Sequence, residues 1–252
     1  MKKYKILKTT VDFLDYKTLI NKIITNCMNN QNLTVAPIAS HPVVESIFSK
    51  KLQTSLNSFN LVLPDGQSLV WAVNFLYRNS FKERIYGPDL LLKLCSRCEK
   101  EKIKTIFCGN RTDLVNNKIK IKYPKLKTIV LPDLNYKKVN NTDVNLLSTT
   151  LSKYKKSIIF IGIGSPAQHL LLTKLKQIEK PIIAVGAAFD FISGAKKQAP
   201  AFFQRAGLEW LFRLINEPRR LWKRYLIYAP LFIFLVFLQK YNLLTKKHEK
   251  NN

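Results

Sequence analysis

The sequence predicts an α/β fold: a doubly wound, mostly parallel sheet followed by a helical appendage at the C-terminus. Three observations predict it. Short runs rich in Ile and Val recur between longer segments of helical periodicity, the order that builds a right-handed parallel sheet. Those runs are apolar throughout rather than alternating, as expected when helices cover both faces. After Pro200 the composition turns aromatic and basic, and the alternation stops.

Taken along the chain, strands are expected at Leu33–Ala39, Asn60–Leu63, Thr105–Cys108, Thr128–Leu131, Ile158–Ile161 and Ile182–Val185. Helices are expected near residues 18–30, 43–56, 67–79, 89–101, 112–122, 143–155 and 167–178. In the tail, residues 201–216 predict an aromatic-rich helix that Pro218 ends, and a second helix opens at Arg219. The expected division is a main domain over residues 1–200 and an appendage over residues 201–252.

With 252 residues, 46% of them hydrophobic, the chain can bury a sizeable core and is too apolar for a disordered polybasic protein. Its 42 Lys and Arg against 16 Asp and Glu give a net charge of +26, which invites nucleic acid, an anionic membrane or phosphorylated substrates. Residues 201–252 hold ten basic and three acidic side chains, leaving +19 spread over the first 200 residues. That spread is lysine-rich and reads as solvated background. The four cysteines suit a reducing compartment, and Cys95-x-x-Cys98 has no second pair or nearby histidine to complete a zinc site. The N-terminus lacks the apolar stretch of a signal peptide. The longest apolar run, Leu226–Leu238, contains Pro230 and falls short of the roughly 20 residues that span a bilayer. A cytoplasmic protein touching a membrane is expected.

Ligands of such sheets bind outside the carboxyl ends of the strands. Asp65, in Pro64-Asp65-Gly66-Gln67, follows an apolar strand and reads either as a general base at the sheet edge or as part of a Pro-Asp-Gly turn. Gly162-x-Gly164-x-x-Ala167 joins a strand to a helix in a relaxed dinucleotide pattern, compatible with a nucleotide diphosphate or with a plain tight turn. The next strand leads through Gly186 to Asp190, which could hold a ribose. Arg84 could clamp phosphate or pair with Glu83 or Asp89. His41, directly after a strand, is a candidate contact or a structural histidine. On a regular helical wheel Arg219, Arg220, Lys223 and Arg224 share one arc, opposite Leu221, Trp222, Tyr225, Leu226 and Tyr228. That is the profile of an interfacial helix, or of a helix packed on its own domain with a solvated basic face. No D-x-D, P-loop or zinc-protease motif occurs, so neither a metal nor a cofactor is expected.

Several segments, taken in order, carry a resemblance: Ser40-His-Pro-Val-Val44, Leu63-Pro-Asp-Gly-Gln67, Glu83-Arg-Ile-Tyr-Gly-Pro-Asp-Leu90, Gly162-Ile-Gly-Ser-Pro-Ala-Gln168, Ala184-Val-Gly-Ala-Ala-Phe-Asp190, Gln204-Arg-Ala-Gly-Leu-Glu-Trp-Leu-Phe-Arg213 and Glu217-Pro-Arg-Arg-Leu-Trp-Lys-Arg-Tyr225. The chain resembles the bacterial WecG/TagA/CpsF glycosyltransferases, and the ordered set covers residues 34 to about 230. The resemblance implies a Rossmann-like catalytic domain and an inverting, metal-independent enzyme that extends lipid-linked oligosaccharides in cell-surface polysaccharide biosynthesis. It would move a hexosyl or N-acetylhexosaminyl group from a UDP-sugar donor to a polyprenyl-diphosphate-linked saccharide acceptor. By the family's pattern Asp65 would be the base, with Arg84 and Gln168 in the substrate pocket. His41, Gln67, Gly162, Gly164, Gly186 and Asp190 would face substrate or nucleotide, and Arg213, Arg219, Arg220 and Arg224 the diphosphate and the membrane. The expected location is the inner face of the cell membrane, peripherally bound to its anionic surface, with homo-oligomerisation left open and no nucleic acid as partner.

Two positions depart from the family's usual pattern: Ala39-Ser40-His41 after the first strand, and Ala167 and His169 around Gln168. Two other readings compete. A basic nucleic-acid-binding module would need aromatics interleaved along a basic groove, whereas here they gather in the tail. A nicotinamide oxidoreductase rests on the glycine pattern alone.

Overall fold

The computed structural model of the protein describes residues 1–133, 141–200, 202–203 and 207–249. An antiparallel hairpin opens the chain, β1 (Lys2–Ile6) against β2 (Thr9–Phe13), with Ile6 opposite Thr9. It lies outside the elements expected from sequence. Its turn at Leu7 and Lys8 has no Asn or Gly, and Leu7 takes a left-handed φ of 53° that non-glycine residues rarely adopt. The hairpin covers an edge of the main sheet, where Asp12 accepts the Val62 N–H at 2.9 Å and burial raises its carboxyl above the usual range.

Next come α1 (Tyr16–Met28), capped by Asp15, then β3 (Leu33–Ile38), α2 (Ser40–Phe48), α3 (Lys50–Asn57), β4 (Leu61–Pro64) and α4 (Gln67–Tyr77). They are followed by α5 (Gly87–Glu101), β5 (Lys104–Gly109), α6 (Thr112–Lys122), β6 (Thr128–Val130) and α7 (Asn141–Ser152). The domain closes with β7 (Ser157–Gly162), α8 (Ala167–Lys174), β8 (Pro181–Ala184) and the short α9 (Ala188–Ile192). All six strands expected from the buried apolar runs are present, within one or two residues. They form one parallel sheet in the order β4-β3-β8-β7-β5-β6. Side chains alternate between two cores: Ile106 and Cys108 enter one and Phe107 the other, so both faces are covered.

The C-terminal part departs from the expected helices. Its helices are α10 (Glu209–Asn216) and α11 (Pro218–Trp222), then a π-helical stretch over Lys223–Tyr228 and α12 (Ala229–Glu249). The expected helix over residues 201–216 lies partly outside the described residues. Pro230 explains the π-helical stretch: it has no N–H to offer residue 226 and its ring crowds that carbonyl, so the chain widens and the Ala229 N–H reaches Arg224 O instead. The helical run Pro218–Asn242 therefore passes through the proline, and by length and composition it could cross a membrane. One flank of it is committed to the domain. Leu221, Phe232 and Val236 are buried, and Phe75 and Phe237 meet edge to face at 4.9 Å. Gln239 bonds to Lys5 O and to the Leu7 N–H, while the Lys240 ammonium caps the Phe75 and Leu76 carbonyls at the end of α4.

Candidate active site

Asp65 is the first residue beyond β4. Its own N–H donates to Ile38 O at 2.9 Å, which holds the backbone in register with β3, and Gly66 begins α4. The Gly87 N–H donates to Asp65 Oδ1 at 2.9 Å, while Oδ2 has no hydrogen-bond partner among the described residues. Gly87 must be glycine because a Cβ there would press on the Val185 carbonyl, 2.8 Å away. Burial pushes the Asp65 carboxyl above the usual carboxylate range, opposed first by the Arg84 guanidinium and then by the Gly87 hydrogen bond. Arg84 does not pair with Glu83 or Asp89. It lies over the Tyr86 ring at 4.5 Å, donates to the Asp65 carbonyl at 3.3 Å, and forms a 2.6 Å ion pair with Glu209 of α10.

Two cavities meet at Asp65, and Arg213 and Arg224 line both. The first, of about 310 Å³, lies over the carboxyl ends of β3, β7 and β8 and is polar. His41, Gly162, Gly164, Ser165, Gln168, Gly186, Asp190, Lys196 and Arg220 contribute to its wall. Gln168 accepts the Gly186 N–H at 3.0 Å, which locks the loop after β8 to the start of α8. Asp190 is held by Arg111 at 2.7 Å and Lys196 at 2.6 Å, and Lys196 continues to Glu217, which grips Arg220 in a fork. Five polar atoms around this pocket are buried without a hydrogen-bond partner among the described residues: His41 Nδ1, Ser165 Oγ, Arg213 Nε and both ring nitrogens of His169. Burial, followed by the Arg224 charge, holds His41 well below the usual histidine pKa, so its ring is neutral. His169 behind it is pushed down to about 4 by burial.

The second cavity, about 530 Å³, is an apolar groove between α4 and the C-terminal helices. Trp71, Phe75, Trp210, Tyr225, Ile233 and Phe237 form its sides, with Ser40, Asp65 and Gln67 at its polar end. Trp71, Ile233 and Phe237 stay more than half exposed, an unusual concentration of apolar surface around one opening. At the junction, Arg224 has no carboxylate partner among the described residues, and burial lowers its affinity for its proton with Arg213 adding to the effect. Two guanidiniums that form no ion pair among the described residues thus face the space beside Asp65. Among the described residues no three His, Cys, Asp or Glu side chains converge as a metal site would require.

A basic, partly orphaned polar pocket joined through one carboxylate to an apolar groove is the layout of a site with two unlike substrates. The Glycosyl transferase WecG/TagA/CpsF family matches residues 4–246. The chain belongs to this family. It is therefore a glycosyltransferase. It is 29% identical over 201 residues to a Bacillus subtilis (strain 168) protein named N-acetylglucosaminyldiphosphoundecaprenol N-acetyl-beta-D-mannosaminyltransferase, covering 78% of this chain and 72% of the relative. A protein of the same name from Bacillus spizizenii (strain ATCC 23059 / NRRL B-14472 / W23) is 26% identical over 249 residues, 95% of this chain and 90% of the relative.

For this WecG/TagA/CpsF member, the structure brings most residues singled out in the sequence to one place. Asp65 lies at the junction; His41, Gly162, Gly164, Gln168, Gly186, Asp190 and Arg220 line the polar pocket. Gln67 and Arg84 line the apolar groove rather than the polar pocket. Arg219 is exposed and lines neither cavity. The glycine turn differs in how it works. Gln168 N–H bonds back to Gly164 O and His169 N–H to Pro166 O, so those donors are spent within the turn. Gly162 makes room for the Phe189 ring, which a Cβ would strike. Positive charge in the pocket comes from side chains instead. The four cations of the expected arc also part company: Arg224 lies at the junction of the two cavities, while Arg219 and Lys223 stay exposed. Sequence reasoning singled out neither Arg111 and Lys196, which hold Asp190, nor Glu209, which holds Arg84. Arg111 lies two residues beyond β5, at the carboxyl edge where ligands of such sheets bind, and that position is its one signal in the sequence.

Proposed function

We propose that the protein transfers a hexosyl or N-acetylhexosaminyl group from a UDP-sugar to a saccharide linked through diphosphate to a polyprenol. The single observation carrying this reading is the junction: one carboxylate of raised pKa between a basic polar pocket and an apolar groove, flanked by two guanidiniums free of ion pairs among the described residues. The nucleotide and its diphosphate suit the polar pocket, where His41, Ser165 and Arg213 have unused polar atoms. The acceptor's isoprenoid end suits the groove, and the relatives' printed acceptor, a diphosphoundecaprenol, has that chemistry.

In the reaction the acceptor hydroxyl oxygen forms a bond to the anomeric carbon of the donor. Its proton passes to Asp65 Oδ2, and the bond from the anomeric carbon to the β-phosphate oxygen breaks with its electron pair leaving on UDP. A single displacement of this kind inverts the anomeric centre. Arg213 and Arg224 stabilise the charge that develops on the leaving diphosphate, the task a divalent metal performs elsewhere, so the reaction proceeds without one. Trp71, Phe237 and the other exposed apolar side chains around the groove suit the headgroup layer, which supports a peripheral position on the inner face of the cell membrane.

The test is a transfer assay with a panel of UDP-sugars and a short-chain GlcNAc-diphosphate lipid, in the presence of EDTA, followed by UDP release and mass of the lipid product. A product heavier by one sugar with undiminished rate in EDTA is expected. Failure of every UDP-sugar with this acceptor would overturn the reading, and dependence on added metal would overturn the assignment of the arginines.

A further inference from the structure

We infer that Glu209 is a positioning residue for the transfer: it holds Arg84 off the Asp65 carboxylate and makes that arrangement depend on docking of the C-terminal segment. The inference rests on the proposed roles of Asp65 and Arg84 and adds to them a residue that acts through Arg84.

Glu209 is the first residue of α10 and is 8% exposed. A carboxylate so placed is costly unless both oxygens are satisfied. Oε2 takes the Arg84 Nη2 hydrogen at 2.6 Å and Oε1 takes the Tyr86 hydroxyl at 3.2 Å, so each oxygen has a partner. Tyr86 is itself fixed. Its N–H donates to the Tyr16 hydroxyl at 2.8 Å, and Gln198 donates to its hydroxyl at 3.4 Å. Arg84 is therefore held on three sides, by the Tyr86 ring beneath it, the Asp65 carbonyl and Glu209. Only the last of these is a charge, and it comes from beyond Pro200.

The consequence falls on Asp65. Arg84 touches the carbonyl of Asp65 and not its carboxylate, which leaves Oδ2 unpaired. Without the counter-charge of Glu209, the nearest anion for a half-buried guanidinium is the Asp65 carboxylate itself, and pairing there would weaken the base. The charged and titratable groups facing Asp65 are Arg84, Glu209, Arg213, Arg224, Tyr16 and Tyr86. Glu209 is the acidic one among them, and its charge raises the Asp65 carboxyl. Loss of Glu209 therefore lowers it. The same helix carries Arg213 one turn further on, so the anchoring of α10 at Glu209 also sets where that guanidinium enters the junction.

The experiment is a double-mutant cycle in the full chain, with Glu209→Gln, Arg84→Ala and both together, read as kcat, KM for the UDP-sugar and the pH profile of kcat/KM. Glu209→Gln is expected to lower kcat about tenfold with donor KM nearly unchanged and to move the acid limb to lower pH, and in the Arg84→Ala background to cost less than about twofold. Additive losses, or an acid limb that stays in place, would overturn the inference. Glu209→Asp keeps the charge but shortens the reach, and it supplies the same readouts should the glutamine variant melt early. Parent kcat in the aspartate variant also counts against the inference. A parent enzyme that transfers no sugar fails the functional reading itself, whereas an active parent with an additive cycle fails only the role of Glu209.

Discussion

The two cavities that meet at Asp65 are built by different means. The polar pocket is made from the short loops after β3, β7 and β8, pinned by backbone hydrogen bonds and by the chain of ion pairs Arg111–Asp190–Lys196–Glu217–Arg220. The apolar groove is made from the faces of helices that are distant in sequence, α4 and α12, joined by ring contacts and by Lys240 across the end of α4. The first has its floor on the sheet and takes Arg213, Arg220 and Arg224 from the C-terminal segment, whereas the second exists only once the C-terminal helices are docked. The difference teaches that the pocket and the groove can be perturbed separately, and that among the described residues the charged side chains lining both are Asp65, Arg213 and Arg224.

The strongest way to break the comparison is at the shared residue. Asp65→Asn should lower kcat by about 10²–10⁴-fold with either substrate varied, the amount expected for loss of a general base. Near-parent turnover in that variant would show that the cavities meet around some other group. Next in size, Arg213→Ala and Arg224→Ala should each lower kcat by about 10²-fold, as for a lost donor to a developing anion. If these act at the junction, inhibition by UDP and by a lipid diphosphate should weaken together in each variant; selective weakening of one alone would assign that arginine to a single cavity. A smaller effect should separate the two sides. Trp71→Ala or Phe237→Ala should raise the acceptor KM about tenfold through lost apolar contact while leaving the donor KM unchanged. A matching rise in donor KM would mean the groove is not independent of the pocket.

The pH response sharpens the role of burial at the junction. Because burial raises the Asp65 carboxyl, the acid limb of kcat/KM should lie above the ordinary carboxylate value, and activity should fall as pH drops through it. The stability effect is the smallest and has the opposite sense. A carboxyl whose folded-state pKa is raised penalises the fold above that value, so Asp65→Asn should raise Tm at neutral pH, by about 2–4 °C if the penalty is near 1 kcal/mol. The gain should shrink as pH falls through the folded pKa and vanish below the unfolded carboxylate pKa. A lowered Tm at neutral pH would contradict the burial argument.

How far the sequence reaches differs between the same two regions. The strands behind the polar pocket were legible because a buried parallel strand needs Ile, Val and Phe on both faces, and Ser157–Gly162 and Leu33–Ile38 meet that need without interruption. Asp65, Gln168 and Asp190 could be picked out because each lies just beyond such a strand. The groove was less legible. A wheel of regular steps puts Arg224 at one end of a single basic arc with Arg219, Arg220 and Lys223, and nothing in that arc says which of the four will face the junction. Glu209 was quoted in a matching segment, yet its task depends on Arg84, 125 residues away, and no local signal marks that pairing. The β1–β2 hairpin escaped for a simpler reason, since three lysines in five residues leave little apolar alternation to detect.

The sequence by itself determined the parallel sheet, its strand ends and the class of side chain found at each, because burial on two faces and the chemistry after each strand are local constraints. Only the tertiary structure decided which cations face the site, which are consumed in ion pairs, and that the Glu209 carboxylate holds Arg84 beside Asp65. Those outcomes follow from distances between segments far apart in the chain, and from desolvation that exists only once the helices have closed over the sheet.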